Sequence, residues 1–124
     1  MIQLVFYKER DGDDHPSLKD ISTGNPIKDK TKVLQYLKKS PVIAAAPGFV
    51  TDRITGDRVT GELLAYCDGK YHWNSEDIYY FETYNITLPD DFIARATSRL
   101  SVPEKEVHRL AREYLDQISK ADID

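Results

Sequence analysis

Leu63-Leu64-Ala65-Tyr66-Cys67-Asp68-Gly69-Lys70-Tyr71-His72-Trp73 is the stretch that decides the fold. Two runs rich in aromatic and apolar residues flank Asp68-Gly69, a dipeptide that tolerates the positive φ values of a tight hairpin turn. With Asp68 and Gly69 as the central turn residues, Cys67 faces Lys70, Tyr66 faces Tyr71, Ala65 faces His72 and Leu64 faces Trp73. One side of the hairpin then carries Leu64, Tyr66, Tyr71 and Trp73, a broad apolar surface that needs cover.

Upstream, Val42-Ile43-Ala44-Ala45-Ala46 reads as a buried strand. It continues past Pro47-Gly48 through Phe49 and Val50 to a turn at Thr55-Gly56-Asp57. The chain returns as one strand from Val59 to Cys67, with Thr60-Gly61 as turn or bulge chemistry. At the N-terminus, Ile2, Leu4 and Phe6 alternate with Gln3, Val5 and Tyr7, which predicts a strand over residues 2 to 8. A helical turn follows between Pro16 and Ile21. Val33, Leu34 and Leu37 recur at helical spacing within Asp29 to Lys39, with lysines at the end and Pro41 just beyond.

Downstream, Ser75 is a suitable N-cap for a helix over Glu76 to Tyr84, with Glu76 and Asp77 in its first turn. Pro89 opens a helix from Asp90 to Arg99, and Pro103 opens the last one. In that last helix Val107, Leu110, Ala111, Tyr114, Leu115 and Ile118 form a stripe that should dock on the core. The expected fold is α+β, a small antiparallel meander of about four strands with helices packed on one face. It spans residues 1 to 124 as a single domain.

Composition narrows the function classes. The chain is 40% hydrophobic and 31% charged, ordinary values for a globular protein. No apolar run approaches the roughly 20 residues that cross a bilayer, and the first residues carry no signal-peptide pattern. The single cysteine, Cys67, excludes an internal disulfide, and a cytoplasmic location is expected. The formal net charge of -4 argues against direct nucleic-acid binding, because a polyanion calls for a basic stripe. Lys28 to Lys39 reads as a solvated helix face instead.

Catalytic constellations are sparse. His15, His72 and His108 have no metal-ligand spacing, and Asp11-Gly12-Asp13-Asp14 lacks the glycine and glutamate of a twelve-residue calcium loop. No glycine-rich phosphate loop occurs, and no cofactor is expected. Cys67 and His72 are the one nucleophile and base pair to name, on one hairpin face and diagonally related, with no orienting third group.

The conspicuous feature is residues 68 to 92. Asp68, Glu76, Asp77, Glu82, Asp90 and Asp91 stand there against Lys70 alone, among Tyr71, Trp73, Tyr79, Tyr80, Phe81, Tyr84 and Phe92. Rings that anchor and carboxylates that steer are what a protein uses to hold a basic partner. The competing interpretation is that the rings fill the core and the acids serve helix N-termini. Ile78 and Phe81 share an inward helix face, while Tyr80 and Tyr84 form a second stripe that could point outward.

Gly61-Glu62-Leu63 through Tyr66, Asp68-Gly69, Tyr71, Trp73, Ser75, Tyr79-Tyr80, Tyr84, Leu88-Pro89 and Phe92-Ile93 together resemble small bacterial immunity proteins. These belong to polymorphic-toxin and contact-dependent growth inhibition systems, and the resemblance covers residues 41 to 95. It implies a protein that binds the C-terminal domain of a cognate toxin, often a nuclease, and supplies no catalytic residues. The expected contacts are Glu76, Asp77, Tyr80, Glu82, Tyr84, Asp90 and Asp91, with Asp11, Asp13 and Asp14 as a second group. Two other function classes stay open: a structural or regulatory subunit of a larger complex, and a small thiol-dependent enzyme using Cys67 and His72.

Overall fold

The computed structural model describes residues 1–59, 61–98 and 104–122, the side chains at 104, 114 and 117–122 excepted. Thr60 and Pro103 lie outside the described residues, as do Arg99, expected to end a helix, and the side chains of Tyr114 and Ile118 in the last stripe. The elements are β1 (Ile2–Gln3), α1 (Lys8–Asp11), α2 (Leu18–Ile21), α3 (Lys30–Lys39), β2 (Val42–Ala46), β3 (Val50–Thr51), β4 (Arg58–Val59), β5 (Leu63–Cys67), β6 (Tyr71–Asn74), α4 (Ser75–Tyr84), α5 (Asp90–Ser98) and α6 (Glu104–Asp122). The fold is α+β. A four-stranded sheet runs β1-β6-β5-β2, and β3 and β4 form a separate two-stranded hairpin.

The central hairpin forms where expected, with a different turn. Asp68 N–H donates to the Tyr71 carbonyl, and Cys67 pairs with His72, Tyr66 with Trp73 and Ala65 with Asn74. Gly69 and Lys70 are therefore the central turn residues, and every pairing moves by two positions. The cause is the glycine: Gly69 has φ 95° and Lys70 is not in the left-handed region, so the turn needs positive φ only at its first central residue, where glycine fits best. A shift of two preserves side-chain parity. Tyr66, Tyr71 and Trp73 still share a face and are buried, with Tyr66 and Trp73 stacked at 6.3 Å across the strands.

That face receives α3 and α5. The Trp73 indole N–H donates to the Leu37 carbonyl, and the rings of Tyr36 and Phe92 lie 6.2 and 5.4 Å from Trp73. Val107 and Ala111 of α6 also enter the core. Leu110 of α6 lies against the hairpin turn, where a Cβ on Gly69 would meet its Cδ1 at 3.0 Å.

Three strand expectations are corrected. The N-terminal strand stops at Gln3: the Leu4 N–H still donates to the His72 carbonyl, but beyond it side chains take the backbone, Arg10 donating to the Val5 carbonyl and Asp11 accepting the Tyr7 N–H. The chain then enters the helical turn α1, and β1 pairs parallel to β6, so the main sheet is mixed rather than wholly antiparallel. Val59 to Cys67 is not one strand; β4 and β5 belong to different sheets. Finally, β2 is an edge strand with Val42 and Ala44 to Ala46 exposed, not a buried one.

Asp68 locks the hairpin to the helices. Its fully buried carboxylate accepts the Lys70 and Tyr71 N–H groups at 2.9 and 2.7 Å, the Tyr36 hydroxyl at 2.7 Å and Arg95 Nε at 2.8 Å. Burial by itself pushes this carboxyl up, and the donors from Tyr71, Tyr36, Lys70 and Arg95 hold it below its ordinary value. Its stabilisation is therefore present at neutral pH and is lost as the pH falls through about 4 toward the lower folded value. Asp68→Asn should cost about 2 kcal/mol at neutral pH and flatten the acid limb of stability, measured by urea unfolding across the acid range.

Candidate functional site

Asp77, expected at a contact surface, is buried at 3% exposure. Asn74, rather than Ser75, caps α4, and Asp77 is the third helical residue of a capping box in which it accepts the Asn74 N–H at 3.0 Å. Ser75 instead holds the Leu64 backbone N–H through its hydroxyl. The remaining valences of Asp77 go to Arg10 Nη1 at 2.7 Å and the Tyr7 hydroxyl at 3.1 Å. Asp11 belongs to the same cluster, bonded to Arg10, Gln3 and the Tyr7 N–H. Burial would raise the Asp11 carboxyl, but Arg10 and the Tyr7 N–H hold it down.

Tyr80 is also turned inward, with no exposed surface. Its hydroxyl donates to Glu76 Oε1 at 2.9 Å and accepts the Arg53 N–H at 2.9 Å, and Arg53 Nε pairs with Glu76. Tyr84, half-buried, bonds Asp52, as does Tyr79 at 2.8 Å. Asp52 is 1% exposed and further accepts the Ile54 and Thr55 N–H groups at 2.8 and 3.0 Å. These contacts latch the β3–β4 hairpin onto α4. Asp77 and Tyr80 are thus corrected from contacts to core, Glu76 and Tyr84 are engaged mainly within the fold, and Asp52 was missed.

The exposed carboxylates lie on different elements. Glu82 on α4 pairs with Lys38 of α3 at 3.3 Å. At the start of α5, Asp91 pairs with Lys70 at 2.6 Å and accepts the Tyr71 hydroxyl at 2.8 Å, with Asp90 in solvent beside it. Asp13, 4.0 Å from Lys8, and Asp14 occupy the loop after α1. Tyr71, Trp73, Tyr80, Phe81 and Phe92 are all core residues. The structure does not bring the predicted acids and rings together as one outward surface.

Cys67 and His72 are directly opposite rather than diagonal, because of the two-residue shift. Cys67 is fully buried, and burial pushes its thiol up; the same desolvation pushes His72 down. A nucleophilic thiol needs the opposite environment, an electropositive and accessible one. Among the described residues no group of three His, Cys, Asp or Glu side chains is placed to hold a metal ion.

The surface feature that sequence periodicity did not reveal is the outer edge of β2. Val42 is 44% exposed, and Ala44, Ala45 and Ala46 are also exposed. The flanking Pro41 and Pro47 were the available signal, since proline beside an apolar run marks an edge. No protein-family model, curated protein or solved structure matches the chain.

Arg10→Met should cost about 3 kcal/mol by leaving a buried carboxylate without its cation, and adding Asp77→Leu should cost less than the sum, a coupling above about 1 kcal/mol in urea unfolding. Thiol labelling of Cys67 should be slow in the folded protein and should accelerate with the unfolded fraction across a denaturant series.

Proposed function

We propose that the protein is a non-catalytic binder of another protein, an immunity protein that neutralises a cognate toxin domain in the cytoplasm. The observation that carries the binding part is the apolar edge of β2, which no other strand pairs among the described residues, the kind of surface on which another chain adds its own strand. The resemblance over residues 41 to 95 supplies the toxin part. The net charge of -4 favours encounter with a basic toxin such as a nuclease, acting over distance rather than through one assembled patch.

The acid-rich segment serves this function indirectly. Its carboxylates and rings build a rigid core, and a rigid binder loses less entropy on association than one that must order itself. Glu82, Asp90, Asp91, Asp13 and Asp14 remain in solvent and can steer a cationic partner.

Co-expression with the C-terminal domain of a large secreted protein encoded immediately upstream should restore growth to cells that the domain alone arrests. The two chains should elute as a 1:1 complex. Continued arrest with both proteins present and folded, or turnover of a substrate by the purified chain alone, would overturn the proposal.

A further inference from the structure

A groove of about 360 Å³ opens between β2 and α6, lined by Val42, Ile43, His108, Ala111, Arg112 and Leu115. We infer that this groove takes an extended, acidic segment of the partner, which joins the main sheet as a fifth strand beside β2. The inference rests on the protein-binding proposal above and adds where the partner sits and what its contacting segment is made of.

Three observations specify the occupant. The first is backbone. β2 is the terminal strand of the sheet, so its outward N–H and C=O groups face no neighbouring strand among the described residues. Val42 to Ala46 carries no charge and no proline, while Pro41 and Pro47 bracket it, so the edge is open for the length of those five residues. An extended chain matches such an edge; a helix does not.

The second is the floor. Val42 and Leu115 are each 44% exposed, and Ile43 is half-buried between them and the core. The methyl side chains of Ala44 to Ala46 leave room for bulkier apolar groups on an added strand, which would alternate between the two faces of the sheet.

The third is charge. The groove is lined by Arg112 and His108 and by no carboxylate. Lys105, Arg109 and Arg112 recur three to four residues apart, with His108 beside them, and give this side of α6 a basic character. Glu113 answers Arg109 at 3.2 Å, and Glu113 and Asp116 share the adjoining cleft of α6 with His108 and Arg112 without lining the groove itself. A carboxylate on the incoming segment meets Arg112 directly. A second copy of this chain fits less well, since its β2 is uncharged and is preceded by Lys38 and Lys39, cations brought against cations.

The test uses the full chain and two blocked five-residue peptides, one alternating valine with glutamate and one alternating valine with lysine. The glutamate peptide should slow amide hydrogen exchange at Val42 to Ala46 and bind about tenfold tighter than the lysine peptide. The exposed substitution Arg112→Glu should invert that preference while leaving the circular dichroism spectrum unchanged. Equal binding of the two peptides, no slowing in β2, or slowing that grows with protein concentration in the absence of peptide would overturn the inference, the last by assigning the edge to a second copy. The upstream toxin domain separates the two proposals. If it binds and leaves β2 unprotected, the groove is wrong and the immunity function stands. If the glutamate peptide protects β2 and the toxin domain does not bind, the groove stands and the immunity function falls.

Discussion

The structure depends on pairing tyrosine hydroxyls with carboxylates. Six of the seven tyrosines whose side chains are described point a phenolic oxygen at an acid: Tyr7 at Asp77, Tyr36 at Asp68, Tyr71 at Asp91, Tyr79 and Tyr84 at Asp52, and Tyr80 at Glu76. At Asp52, Asp68 and Asp77 the pairing solves two problems at once, since a buried ring needs a partner for its polar tip and a buried carboxylate needs donors. Three of the acids add an arginine, Arg10 for Asp77, Arg95 for Asp68 and Arg53 for Glu76. Asp52 manages with two phenols and two backbone N–H groups. Among the described residues no buried side-chain polar atom lacks a partner.

This pairing explains why residues 68 to 92 are misleading when read as a line of letters. Acids and aromatic rings in one segment describe equally well a surface that grips a cation and a core whose polar tips satisfy one another. What separates the two is where the cations are, and Arg10, Arg53 and Arg95 all lie outside or at the margins of the segment. Their convergence is a product of tertiary structure. One local signal did exist: Asn74 followed three residues later by Asp77 is a capping box, which commits Asp77 to the helix N-terminus before any partner is considered.

The elements themselves were largely legible. α3, α4, α5 and α6 form where apolar spacing and end signals place them, and the parity of the central hairpin survives a turn misplaced by one residue. Errors concentrate where non-local contacts decide. β1 ends early because Arg10 and Asp11 occupy the backbone that would have extended it, and its parallel alignment comes from pairing with β6, far along the chain. The β2 error has another source. A short apolar run is the same string whether it lies inside a sheet or at its rim, and only the order β1-β6-β5-β2 distinguishes the two.

That order also makes the two rims of the sheet unequal, and the inequality bears on function. β1 offers two residues, too short to template another strand, and Arg10 already holds the Val5 carbonyl just beyond it. β2 offers five residues, with neither lysine nor proline inside the run to discourage pairing. An edge this open exposes a protein to self-association unless something limits it. The flanking prolines set its length, the irregular register between Val42 and Ala44 interrupts its flatness, and Arg112 on α6 stands at one end as a charge filter. Together these devices admit a short strand bearing negative charge and disfavour indiscriminate stacking, which is how an exposed edge becomes selective for a partner.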